Sequence, residues 1–140
     1  MKVTGRGQTA GTAEGRAVVL REAVSFWGGI DVDSGRITDR AHPDAGTSIT
    51  GAVLCMPGGR GSSSSSSILA EMLRKKTAPV AIVLTVADPI LPVGAIVAAS
   101  LYGCSCPIVV CPVEGVRSGD LVRVQSPGDG TAEVLTVERD

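Results

Sequence analysis

Aromatic residues are nearly missing from this 140-residue chain, which has one Trp, one Tyr and one Phe. Hydrophobic residues nevertheless make up 44%, so the core has to be built from Val, Ile, Leu and Ala. That composition suits strands packed against small-residue helices. An excess of one charge is also absent: thirteen Lys plus Arg face fourteen Asp plus Glu, for a net charge of -1. Without a basic stripe or a stacking platform, nucleic acid is not an expected partner. A membrane-spanning run is lacking too. The longest apolar tract, 79–100, is interrupted by Asp88, Pro89, Pro92 and Gly94 and divides into several short elements. The opening stretch MKVTGRGQTAGTAEG has no apolar segment of the signal-peptide kind. The four cysteines, Cys55, Cys104, Cys106 and Cys111, do not have the spacing of a secreted disulfide scaffold. Reduced thiols and a cytoplasmic location are the expectation.

What is present fits one domain over 1–140, of the α/β class. Residues 16–20 and 52–56 are short apolar runs bounded by Gly and Pro, and read as strands. Between them, 28–51 is polar and rich in Gly and Asp, with turns and short extended pieces expected. From Ile68, apolar residues recur at Leu69, Met72 and Leu73, with Arg74, Lys75 and Lys76 closing the segment. That is an amphipathic helix whose cations sit in its last turn, where they complement the dipole. A buried strand is predicted at 80–85, a small-residue helix at 92–102 and a strand at 107–111. Residues 121–125 and 132–138 alternate apolar and polar, as strands with one solvated face do.

The candidate chemistry lies in GGRGSSSSSSILAE, residues 58–71, between a predicted strand and a predicted helix. Glycines 58, 59 and 61 admit positive φ and close backbone approach, as a ligand-cradling turn requires. Serines at the start of a helix can cap its unpaired N–H groups and offer further donors to an anion. Arg60 adds a cation able to grip a carboxylate or phosphate with two hydrogen bonds. The Lys and glycine spacing of a Walker A loop are absent, so this is a Gly-Ser anion nest. A hydroxyl held among N–H donors beside Arg60 has its alkoxide form stabilised, and could act as a base. No serine-hydrolase arrangement accompanies it. The only histidine, His42, precedes Pro43 in a polar turn and reads as structural, and no Gly-x-Ser-x-Gly elbow occurs.

Three segments carry a family resemblance: GGIDVDSGRITDRAHPDAGTSITG at 28–51, PGGRGSSSSSSILAE at 57–71 and DPILPVGAIVA at 88–98. With them the chain resembles the small subunit, or swivelling domain, of the aconitase X family. The resemblance implies a swivelling β/β/α domain docked on a large catalytic subunit that holds an iron or iron–sulfur centre, with no metal ligand on this chain. In the wider superfamily a Gly-x-Gly-Ser turn supplies the serine that abstracts the substrate's α-proton. Carried over to Gly59, Arg60, Gly61 and Ser62, this makes Ser62 the base, with Arg60, Gly61 and Ser63 around a small carboxylate substrate. Ser64 stands where ordinary aconitases place an arginine, as expected for a smaller substrate. Two substrates are implied, cis-3-hydroxy-L-proline and phosphomevalonate. Archaeal small subunits tend to read Gly-Lys-Gly-Ser at this turn, so GlyArgGlySer points to hydroxyproline. The cysteines are expected in the core rather than on a cluster, since Cys55 and Cys111 fall within apolar strand patterns.

Overall fold

The computed structural model describes residues 1–140. Seven strands and three helices follow in the order β1 (Lys2–Gly7), β2 (Gly11–Val19), the single turn α1 (Phe26–Gly29), β3 (Val53–Met56), α2 (Ser65–Lys75), β4 (Ala81–Leu84), α3 (Leu91–Tyr102), β5 (Ile108–Val110), β6 (Leu121–Ser126) and β7 (Thr131–Glu138). They close into a barrel in the order β1-β5-β4-β3-β2-β6-β7. The pairs β2–β3, β3–β4 and β4–β5 are parallel, and the remaining pairs are antiparallel.

Strand alternation creates two cores. Val53 and Cys55 of β3, with Ala81 and Val83 of β4, point into the barrel, where they meet Val122, Val124, Ala132 and Val134. Leu54, Met56, Ile82 and Leu84 point outward and pack against Leu69, Met72 and Leu73 of α2 and Leu91, Ala95 and Ala98 of α3. All four residues of β3 and of β4 are therefore buried, as parallel strands covered on both faces are. The polar segment 28–51 joins the outer layer through Ile30, Ile37 and Ile49, which are buried there. Isolated bridges, Ile30 to Ile37 and Arg36 to Ser48, hold it, so the expectation of turns and short extended pieces is met.

The layering is the β/β/α arrangement expected of a swivelling domain, with antiparallel barrel wall, parallel wall and helices. Two elements differ from the sequence reading. Lys2–Gly7 forms a strand that the sequence did not suggest, and β2 starts at Gly11 rather than Arg16. Both depend on distant partners. Gly11–Arg16 pairs with β6, and Ala17–Val19 with β3, so β2 links the two walls.

Candidate active site

The loops after β3 and β4 both leave the carboxyl ends of parallel strands, the end at which α/β sheets commonly bind ligands. The first loop carries the Gly-Ser stretch. Of its glycines only Gly61 has a positive φ, at 102°, and a side chain there would also overlap the Ser25 hydroxyl. Gly58 and Gly59 do not adopt the left-handed conformation that their position in a nest led us to expect. Gly59 instead serves close approach, because a Cβ there would overlap the carboxylate of Asp88.

Asp88 is buried at the end of the second loop. Its Oδ2 accepts the N–H groups of Ile90 at 3.1 Å and Leu91 at 2.7 Å, satisfying the start of α3. Gln8, in the β1–β2 turn, clasps its backbone. The Gln8 Nε2 donates to the Asp88 carbonyl at 2.9 Å, and the Asp88 N–H donates to Gln8 Oε1 at 3.3 Å. Asp88 thus links the β1–β2 turn through its backbone, and the start of α3 and the Gly-Ser loop through its carboxylate.

The start of α2 is left positive by contrast. Its first turn contains no acidic residue, and Ser64 at the N-cap makes no side-chain cap. The capping expected of the serines comes from two residues before the N-cap, where Ser62 Oγ accepts the Ser64 N–H at 3.1 Å. Ser66 Oγ turns back to donate to the Ser63 carbonyl at 2.8 Å. The backbone N–H groups of Arg60, Gly61, Ser62 and Ser63 donate to no backbone carbonyl of the chain. Arg60 takes part in no ion pair. All four residues are exposed, so the predicted site residues are brought together on one solvent-facing turn. Free N–H groups, a helix start with no acidic residue and an unpaired guanidinium are the features an anion-binding turn requires. A Ser62 oxygen already receiving an N–H is stabilised more as the alkoxide than as the hydroxyl.

Ser65 is different from its neighbours. It is 3% exposed and its Oγ has no hydrogen-bond partner. The sequence pattern could not distinguish it from the exposed serines. Asp88 was also missed as a site-shaping residue. An acidic residue three positions before Leu91, with Pro92 opening the helix, was the available signal.

His42 is buried with both ring nitrogens engaged: Nε2 lies 3.0 Å from the Glu22 carbonyl, and Nδ1 accepts the Asp44 N–H at 3.0 Å. That is the structural role expected of it. No three His, Cys, Asp or Glu side chains converge in a way that could hold a metal ion. Cys55 and Cys111 line the barrel interior, while Cys106 lies in the outer core. Burial pushes the Cys55 and Cys106 thiols up to about 12 and raises Cys111 as well. Metal ligation needs thiolates on converging loops, so these residues do not fit an iron centre. A cavity of about 400 Å³ between Gly51, Lys76 and Val80 lies at the opposite end of the parallel strands and includes none of the predicted site residues.

Comparison with known proteins decides the family. The family model for the aconitase X swivel domain matches residues 2–134. The chain belongs to that family. A cis-3-hydroxy-L-proline dehydratase of Pseudomonas aeruginosa is 46% identical over 99 residues, 71% of this chain but only 17% of that protein. The chain therefore corresponds to a small part of that relative. A phosphomevalonate dehydratase small subunit of Pyrococcus furiosus is 40% identical over 136 residues, covering 96% of both chains. Among solved structures, the holo-form of Thermococcus kodakaraensis aconitase X superposes with a TM-score of 0.83 at 34% identity, covering 96% of this chain and 98% of that one. The swivelling fold implied by the sequence is thus established.

Proposed function

We propose that this chain is the small subunit of a two-chain hydro-lyase that dehydrates cis-3-hydroxy-L-proline to Δ1-pyrroline-2-carboxylate. The observation carrying this reading is the exposed Ser62 hydroxyl, set at the positive start of α2 next to the unpaired Arg60. Arg60 and the free N–H groups of the turn hold the substrate carboxylate. That contact also offsets the charge that grows as the α-proton leaves. Ser62, as alkoxide, takes the proton from C2. The electron pair forms the C2=C3 double bond, and the 3-hydroxyl departs as hydroxide, which becomes water on protonation. The resulting enamine tautomerises to the cyclic imine.

Departure of hydroxide is assisted by a Lewis acid, which an iron centre on a large partner subunit would supply. The residues of this chain are not arranged to hold one. The names of the small-subunit relatives support a partner chain, and the 17% coverage of the Pseudomonas protein supports a much larger remainder.

A second reading is dehydration of phosphomevalonate. It is favoured by one observation, the match over 96% of both chains to a separate small subunit carrying that name. Hydroxyproline is preferred because the turn reads Gly-Arg-Gly-Ser. The test is co-expression with the aconitase X large chain of the same genome, followed by assay of both substrates. Turnover of hydroxyproline by the complex and by neither chain alone is expected. Turnover of phosphomevalonate alone would reverse the assignment, and turnover by the isolated small chain would overturn the two-chain scheme.

A further inference from the structure

Helix α3 is built inside out. Its small residues face inward, with Gly94, Ala95 and Ala98 buried against the sheet and α2. Apart from Leu91, its large aliphatic residues face solvent: Val93 is 51% exposed, Ile96 57%, Val97 39% and Leu101 67%. These four fall at i, i+3, i+4 and i+8, on one stripe of the helix. No charged residue occurs between Leu91 and Tyr102. A helix apolar all round is normally buried, and contiguous exposed aliphatic surface marks an interaction site. With 12 residues, α3 is too short to cross a membrane, and no helix of the chain is long and apolar enough to do so.

The stripe adjoins the last serines of the run that begins in the candidate active site. A groove of about 240 Å³ between α2 and α3 is lined by Ser66 and Ser67 of the serine run together with Val93 and Val97 of the stripe. The Gly-Ser loop also approaches the start of α3 through Gly59 and the buried Asp88, which holds the first N–H groups of that helix. A protein surface that closes over Arg60 and Ser62 therefore extends onto α3.

We infer that the outward stripe of α3 is the surface on which the large subunit docks, an inference that rests on the two-chain reading above. The occupant is a charge-free aliphatic surface of that subunit. Two facts favour it over a second copy of this chain. In the Pseudomonas relative, the segment that aligns with 71% of this chain is only 17% of the polypeptide, so a far larger body accompanies this small domain. The groove also leads directly from the stripe to the serine run, where the partner has to complete the site. A second copy seated there would stand across that approach.

The experiment uses the small chain co-expressed with the aconitase X large chain of the same genome, comparing wild type, the double variant Ile96→Glu/Leu101→Glu, and Val137→Glu. Val137 is 44% exposed on β7 and serves as the aliphatic-to-acid control. Burying two unpaired carboxylates should weaken assembly by about 100-fold or more, read by size exclusion and titration calorimetry. The isolated double variant should keep the wild-type circular dichroism and melting temperature, and the control should assemble normally. In the wild-type complex, backbone amides of 90–102 should exchange more slowly than in the free chain. Normal assembly of the double variant would remove the stripe from the interface while leaving the two-chain reading intact. Failure of wild type to bind the large chain would overturn that reading and the docking inference with it. A wild-type small chain that dimerises alone, and is made monomeric by the double variant, would give the surface to a second copy and overturn the inference.

Discussion

The carboxylate of Asp88 occupies the space that a side chain at Gly59 would need. Asp88 is at the same time the acceptor for the Ile90 and Leu91 N–H groups at the start of α3. The position of the Gly-Ser loop and the start of α3 are therefore set by one buried group. Gln8, from the β1–β2 turn, holds the Asp88 backbone through its N–H and C=O. The two segments 57–71 and 88–98, far apart in the chain, meet at this contact.

Gly59→Ala should consequently act at a distance. The new methyl cannot share space with the carboxylate, so Asp88 has to leave the α3 N–H groups or the loop has to move. Loss of such a cap costs about 0.5–2 kcal/mol. Thermal unfolding should show Gly59→Ala and Asp88→Ala destabilised by similar amounts. Asp88→Asn, which keeps an acceptor, should lose less. A Gly59→Ala protein that melts like wild type would mean that Asp88 is not held in place.

Much of the outer core was legible because its periodicity is local. Leu69, Met72 and Leu73 recur at helical spacing, and all three are buried as that spacing requires. The runs that became β3, β4 and β5 are short, apolar and bounded by Gly or Pro. β1 was not legible, because KVTGRG has few apolar residues and becomes a strand only between β5 and β7. The conformation of the loop glycines was beyond the sequence for the same reason. Whether Gly59 needs positive φ or empty space depends on Asp88, twenty-nine positions along the chain. The exposure of α3 was overlooked although its signal was present: a charge-free helix has no polar face to turn to water.

The thiols should separate by accessibility. Burial raises the Cys55, Cys106 and Cys111 thiols, the first two to about 12, so little thiolate exists at pH 8. Cys104 is the partly exposed one. Iodoacetamide at pH 8 followed by peptide mass spectrometry should modify Cys104 first and the other three only after denaturant is added. Single Ser replacements of Cys104, Cys106 or Cys111 should also leave the iron content of the assembled complex unchanged. Loss of iron from any of them would place a ligand on this chain.

Stability should fall in acid partly through Asp120. The Arg117 N–H donates to its carboxylate at 3.0 Å, the Asp140 N–H lies at 3.3 Å and the Arg139 guanidinium at 3.1 Å. The Arg117 hydrogen bond is the main cause of a carboxyl held below the usual Asp range. A carboxyl depressed in the folded state contributes stability above its unfolded pKa of about 3.9, and that contribution is lost as pH falls through the folded value. Asp120→Asn should be less stable than wild type at pH 7, with the difference shrinking below about pH 4. Urea unfolding at several pH values measures this. A difference independent of pH would assign the effect of Asp120 to packing.

The serine run should divide by position. Ser62 and Ser65 are three residues apart, yet one is exposed with its oxygen accepting an N–H, and the other is buried with its hydroxyl unpaired. Ser62→Ala removes a bond that water can replace at the Ser64 N–H, so folding and assembly should survive with a loss of at most about 1 kcal/mol. If Ser62 takes the proton as proposed, kcat of the assembled enzyme should fall about 10²–10⁴-fold while KM changes little. Ser65→Ala deletes a buried hydroxyl that satisfies nothing, so it should be neutral or stabilising by up to about 1 kcal/mol. Its kcat should stay within a few-fold of wild type. Equal losses in the two variants would make the run an anion-binding turn without a base. The proton would then be taken by a residue of the partner chain, because His42 is buried with both ring nitrogens already engaged.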